Sequence, residues 1–131
     1  MSLPDVSKSL VMHRPERLAE ALKEEIAEVV GFELVDPRLG SVTVTDVEVS
    51  ADLRDAKIFV LIDGTEDEIA AALSALKNAT GFVRRQVALD LSLRHVPHLH
   101  FARDAAAENA ARVGSILRTM EDEGDLDESK E

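Results

Sequence analysis

Cations grouped around small residues are the first chemistry this chain offers. Lys77 is followed by Asn78, Ala79, Thr80 and Gly81, then by the adjacent Arg84 and Arg85, with Arg94 a short segment later. Guanidinium groups grip phosphate oxygens bidentately, and a lysine ammonium adds a point charge. Ala79 and Gly81 place almost nothing between such cations and an approaching polyanion backbone. A helix restarting near Phe82 would add unpaired N–H groups and a favourable dipole. Lys77, Asn78, Ala79, Thr80, Gly81, Arg84, Arg85 and Arg94 thus form a candidate polyanion site, which Arg14 and Arg17 extend. The competing reading has Gly81 merely relieving crowding where two helices meet, with the arginines on a solvated face. Arg84 and Arg85 point about 100° apart on a helix, so both need not face one ligand. Arg38, next to Pro37, reads as holding a turn.

Other chemistries find less support. His98 and His100 share a face if they lie on a strand, and His95 precedes them by a few residues. Three imidazoles suit zinc, but no Cys and no nearby carboxylate completes the set, so no metal or other cofactor is expected. Asp52 and Asp55 flank a turn and read as turn formers rather than an acid–base pair. No nucleophile elbow, phosphate-cradling loop or dinucleotide fingerprint occurs, so catalysis is not expected. With no Trp, no Tyr and four Phe, a platform of stacked aromatics is excluded.

The net charge of −11 argues against a polyanion partner only if it is spread evenly. Residues 119–131 carry seven acidic groups against Lys130, whereas residues 77–103 carry five basic groups against Asp90. A ligand feels charge over roughly 8 Å at physiological salt, so the segments matter more than the sum.

The elements that must position these groups follow from periodicity. Pro15 suits a first helical turn, and Leu18, Leu22, Ile26 and Val29 or Val30 make one apolar stripe, predicting a helix over about 15–31 with a stop near Gly31. Asp36 to Gly40 is a turn. Residues 41–49 and 55–62 alternate and are rich in β-branched types, predicting two antiparallel strands joined by Ser50-Ala51-Asp52-Leu53. Thr65 and Glu68 make a capping box. Ile69, Ala72, Leu73 and Leu76 begin a helix, Ala79-Thr80-Gly81 predicts a kink, and Phe82, Val83, Val87 and Leu91 continue into another helix. A strand over 98–102 and a helix over about 105–119 follow. The two-helix crossover makes the third strand parallel to the second. The expected fold is an α/β sandwich with a three-stranded mixed sheet and helices mainly on one face. Residues 1–13 are expected to be a flexible N-terminus, 14–120 the domain and 121–131 a disordered acidic tail.

Four segments in this order resemble the ribosome-binding factor A family. They are Arg14-Pro15-Glu16-Arg17, Asp36-Pro37-Arg38-Leu39-Gly40, the run Val49 to Val60, and Ala79-Thr80-Gly81-Phe82-Val83-Arg84 continuing to Leu93-Arg94-His95-Val96-Pro97-His98-Leu99. The match spans roughly residues 14–119, though His98, His100 and the Ala105–Ala107 run depart from the usual pattern. The resemblance implies a single type II KH-like domain in which an Ala-x-Gly kink replaces the Gly-x-x-Gly loop of other KH domains. It implies a non-enzymatic factor that binds the small (30S) ribosomal subunit and its 16S rRNA, assisting late maturation, rRNA processing and growth in the cold. Ribosomal proteins are further partners it suggests. Residues 1–13 lack the pattern of a secretory signal, and no stretch approaches the ~20 apolar residues of a membrane span. A cytoplasmic monomer is therefore expected. The alternative is a protein–protein adaptor using its helical face and acidic tail, and a small enzyme built on His98 and His100 is a more distant rival.

Overall fold

The structure, a computed structural model, describes residues 14–34 and 36–129, with side chains as far as residue 122. The expected flexible stretch 1–13 lies outside the described residues. Helix α1 (Arg14–Glu28) buries Leu22 and Ile26 completely. It does not stop at Gly31. A π-helical turn, Val29–Glu33, continues it and buries Val29 and Val30. This turn closes where the Leu34 N–H donates to the Val29 carbonyl at 3.1 Å. A 3₁₀ turn, Pro37–Leu39, follows. It is fixed by Asp36, which accepts from the Arg38 amide and takes the Arg38 guanidinium at 2.7 Å. Arg38 therefore holds the turn, as its position suggested, and its cation keeps the Asp36 carboxyl below its usual pKa.

Strands β1 (Val42–Val49) and β2 (Asp55–Ile62) pair antiparallel, and β3 (His98–Arg103) pairs parallel with β2, in the order β1-β2-β3. The mixed sheet and its central second strand match the pattern of alternation. Ala56, Ile58, Val60 and Ile62 form the buried face of β2 with Leu99 and Phe101 beside them. Helices α1 and α2 (Glu66–Asp90) cover this face with Ile69, Ala72, Leu76, Val83 and Val87. The capping box that opens α2 is complete: Thr65 Oγ1 accepts from the Glu68 amide and Glu68 Oε1 from the Thr65 amide.

Two further expectations need correction. The helix predicted to break at Ala79-Thr80-Gly81 runs unbroken from Glu66 to Asp90. Glycine in a helix costs only about 1 kcal/mol against alanine, less than burying Leu76, Val83 and Val87 on either side of it contributes. The local device left at this point is Thr80, whose hydroxyl donates back to the Leu76 carbonyl at 3.1 Å, a bond that bends helices without breaking them. The last helix, α3 (Ala105–Ser129), also passes its expected end near residue 119 and continues into the stretch expected to be unfolded. Asp104 caps it, accepting from the Ala107 amide while the Thr45 hydroxyl donates to its other oxygen at 2.6 Å.

Candidate nucleic-acid interface

The arginines sort by what already occupies them. Arg38 is paired with Asp36. Arg103 binds Glu66 and Glu108, each at 2.7 Å, tying the starts of α2 and α3 together and keeping both glutamates ionised. Arg84 is half-buried. Its Nη2 donates to the Val96 carbonyl at 2.8 Å and its Nε to the Pro97 carbonyl at 3.2 Å. Arg84 thus latches the segment between α2 and β3 rather than standing free at the surface, a correction to its expected role as a phosphate contact. Among the described residues, Arg14, Arg17, Arg85 and Arg94 are exposed and make no ion pair or side-chain hydrogen bond. An exposed guanidinium without a protein partner can meet a polyanion without first breaking a contact of the fold, and Arg54, Arg112 and Arg118 are free in the same sense.

Apart from Arg112 and Arg118 on α3, these free cations fall into two groups. On α2, Lys77, Asn78, Gly81 and Arg85 are exposed along one stripe, whereas Ala79 and Thr80 turn partly inward. A Cβ built on Gly81 would meet only Arg85 Nη1, at 3.6 Å. No second helix crowds Gly81, so the crowding explanation for this glycine fails. The bare helix surface here is open to a ligand, with the Arg85 guanidinium lying over it. The helix is continuous at this point, so no helix N-terminus near Phe82 supplies free amides.

The second group lines an open groove of about 700 Å³. Arg14 and Arg17 come from the first turn of α1, Arg54 from the β1–β2 turn, and Arg94 and His95 from the segment leading to β3. Leu18, Leu53 and Leu93 give it an apolar floor, and Asp52 adds one carboxylate. The Ser50 hydroxyl and the Arg54 amide donate to Asp52, holding its carboxyl below its usual pKa. The structure therefore brings Arg94 together with Arg14 and Arg17 but not with the Lys77–Arg85 stripe, so the single site expected from the sequence divides in two, and the groove adds Arg54, which charge counting along the chain passed over. Its signal is tertiary: the tight β1–β2 turn aims it at the start of α1.

The histidines do not converge. His95 lines the groove, while His98 and His100 lie on the exposed face of β3, where His100 Nε2 contacts Asp55 Oδ1 at 2.9 Å. Asp52 and Asp55 serve the turn and this contact respectively. Among the described residues no group of three or more His, Asp or Glu is placed to hold a metal ion. No helix among them is long and apolar enough to cross a membrane.

A small mixed sheet, helices packed on one face, an uncrowded glycine on an exposed cationic stripe and a cation-lined groove together define a small α/β domain with a cationic surface. The family model for ribosome-binding factor A matches residues 14–117. Ribosome-binding factor A of Thermomicrobium roseum is 51% identical over 117 residues, covering 89% of this chain and 91% of that protein. Its counterpart in Desulfitobacterium hafniense is 42% identical over 121 residues, covering 92% of this chain and 97% of that protein. The crystal structure of ribosome-binding factor A from Thermus thermophilus superposes with a TM-score of 0.61 at 30% identity, covering 70% of this chain and 97% of that one. Coordinates of the Thermus thermophilus factor fitted into a cryo-EM map of a 30S–RbfA complex give 0.57 at 31% identity, covering 66% of this chain and 91% of that one. The chain belongs to the ribosome-binding factor A family.

Proposed function

We propose that this chain is a cytoplasmic, non-enzymatic assembly factor that binds the 30S subunit through its 16S rRNA and assists late maturation and rRNA processing, including in the cold. The observation that carries the reading is the sorting of its arginines: Arg38, Arg84 and Arg103 are engaged within the fold, whereas Arg85 stays free on the α2 stripe and Arg14, Arg17, Arg54 and Arg94 gather around the groove, with Arg112 and Arg118 exposed separately on α3. The Thermus thermophilus relative fitted into a 30S complex supports the same partner for this chain. Phosphates of folded rRNA supply the matching charge, and binding through phosphates releases counterions, so affinity falls steeply with salt.

Cosedimentation of the purified protein with small subunits, large subunits and whole ribosomes across a salt series tests this. Salt-sensitive binding to small subunits is expected. Gly81→Asp should fold, because Asp and Gly have similar helix propensities and the new Cβ meets only Arg85, yet it should weaken the complex by putting a carboxylate on the stripe. A folded Gly81→Asp variant that binds small subunits undiminished would refute the site on α2.

One observation favours the adaptor reading. Val113, Ile116, Leu117 and Met120 of α3 lie at helical spacing and are each more than half exposed. A complex held by that stripe would resist salt and would survive Gly81→Asp.

A further inference from the structure

Leu53 occupies a position where leucine is a poor choice for the backbone. Its φ is 63°, in the left-handed region, at the end of a turn closed by its own N–H on the Ser50 carbonyl at 2.9 Å. Hairpin connections of this kind favour Gly or Asn there, since a Cβ crowds the backbone in this conformation. Core packing does not account for the leucine: Leu18 and Leu93 pack against the buried core, and Leu53 is not among the side chains that do. Its side chain instead lines the groove, half-exposed. The second non-glycine residue with positive φ, Ser92 at 54°, is the left-handed cap of α2 and directly precedes Leu93 and Arg94 on the opposite wall. Ser92 has a structural reason, because the Leu93 and Ser92 amides close the helix end on the Ala88 and Leu89 carbonyls. Leu53 has none within the fold. Backbone strain retained beside a ligand-sized groove points to a ligand.

The groove's chemistry specifies that ligand. A volume of about 700 Å³ lies within the ~300–1,000 Å³ of small-ligand sites. An apolar floor with unpaired guanidiniums on the rim suits a flat, amphipathic group carrying negative charge on one side. A duplex exposes phosphates, sugars and base edges, but its base faces stay stacked inside and cannot lie on the apolar floor. A single-stranded segment can splay a base out. Asp52 repels phosphate at the turn end of the groove and accepts N–H from a base edge.

We propose, building on the RNA-binding reading above, that this groove takes one unstacked nucleotide of single-stranded RNA, its base against Leu18, Leu53 and Leu93 and its phosphates against Arg14, Arg17 and Arg94. Leu53 is then a specificity residue that distinguishes unpaired from paired RNA, and the α2 stripe is a separate, sequence-blind phosphate contact.

The test uses the full chain and two labelled RNAs with equal numbers of phosphates, a mixed-sequence single-stranded oligomer and a hairpin duplex, followed by fluorescence anisotropy. Leu53→Gly removes the side chain and relieves the backbone. It should lower single-strand affinity roughly 5- to 10-fold, the loss of one base contact, leave duplex affinity unchanged, and melt at the same or a higher temperature. A structural role for Leu53 would lower stability and both affinities together. Independently of any variant, a 4-thiouridine oligomer should photocross-link the wild-type chain at residues 52–54 or 93–95. Unchanged single-strand affinity in Leu53→Gly, or cross-links confined to α2, overturns the proposal and leaves the groove to an acidic peptide. If the wild type still cosediments with small subunits in that case, only the groove assignment falls. If it binds neither small subunits nor the oligomer, the proposed function falls with it.

Discussion

Replacing Arg84 by methionine is expected to release the segment that carries Arg94 and His95. Methionine fills most of the arginine stem's space and adapts to its surroundings, so the loss is confined to the guanidinium. That group makes two hydrogen bonds, at 2.8 Å to Val96 and 3.2 Å to Pro97. Hydrogen bonds from a charged donor contribute about 1.5–3 kcal/mol each. The second bond is long and both come from one guanidinium, so roughly 2–4 kcal/mol is the expected net cost. A domain of this size loses roughly 4 °C of melting temperature per kcal/mol, which gives a decrease of about 8–16 °C by circular dichroism. Small-subunit affinity should fall as well, because Arg94 and His95 lose their fixed placement on the groove. Arg84→Lys separates latch from charge: it keeps the cation but not the fork, so its melting temperature should fall nearly as far as that of the methionine variant. The reasoning is refuted if Arg84→Met melts within 2 °C of wild type while binding falls and Arg84→Lys restores it, for Arg84 would then be a free phosphate contact.

Two further outcomes follow from the same geometry. Glu25, half-buried on α1, faces the Asp90 carboxyl at the end of α2; the hydrogen bond between them, burial, and the charges of Asp90, Glu28 and Glu33 raise its pKa from 4.5 to about 7. The folded state therefore holds a proton that the unfolded chain releases near 4.5, and this contribution is full below about 4.5 and lost as pH rises through 7. The interval corresponds to about 3 kcal/mol at most, and solvent access reduces it to roughly 1–2 kcal/mol. Urea denaturation should show Glu25→Gln more stable than wild type at pH 8 and the two converging towards pH 5, whereas parallel profiles would exclude the shared proton. Thr65→Ala removes one half of the α2 capping box and should cost about 1 kcal/mol, read as a shift in denaturation midpoint at constant slope; no shift would mean that α2 is held by packing alone.

Most of the architecture was legible because it rests on local periodicity. The alternation over β2, the apolar stripe of α1 and the Thr65–Glu68 pair each specify an element without reference to the rest of the chain. Gly81 misled for the opposite reason. Its helix penalty is a local quantity, and the burial of residues on either side of it is a larger, tertiary one, so a propensity argument placed a break where the fold keeps a helix. The same glycine still lacks a packing explanation, since a Cβ there would meet only Arg85 Nη1. A residue that weakens a helix and relieves no crowding is most simply explained by what must approach it.

The candidate interface was half legible, and its other half shows what charge counting omits. A sum along residues 77–103 includes Arg84 and Arg103, yet the first is bound to backbone carbonyls and the second to two glutamates. It also leaves out Arg14, Arg17 and Arg54, which reach the groove from distant parts of the chain. What a polyanion meets is the set of cations that folding leaves unpaired, and that set is defined only when α1, the β1–β2 turn and the segment before β3 are assembled. Affinity for RNA should therefore be a property of the folded domain. A peptide spanning residues 77–103, though it carries most of the basic excess visible in the sequence, lacks the groove and should not reproduce a preference for unpaired RNA.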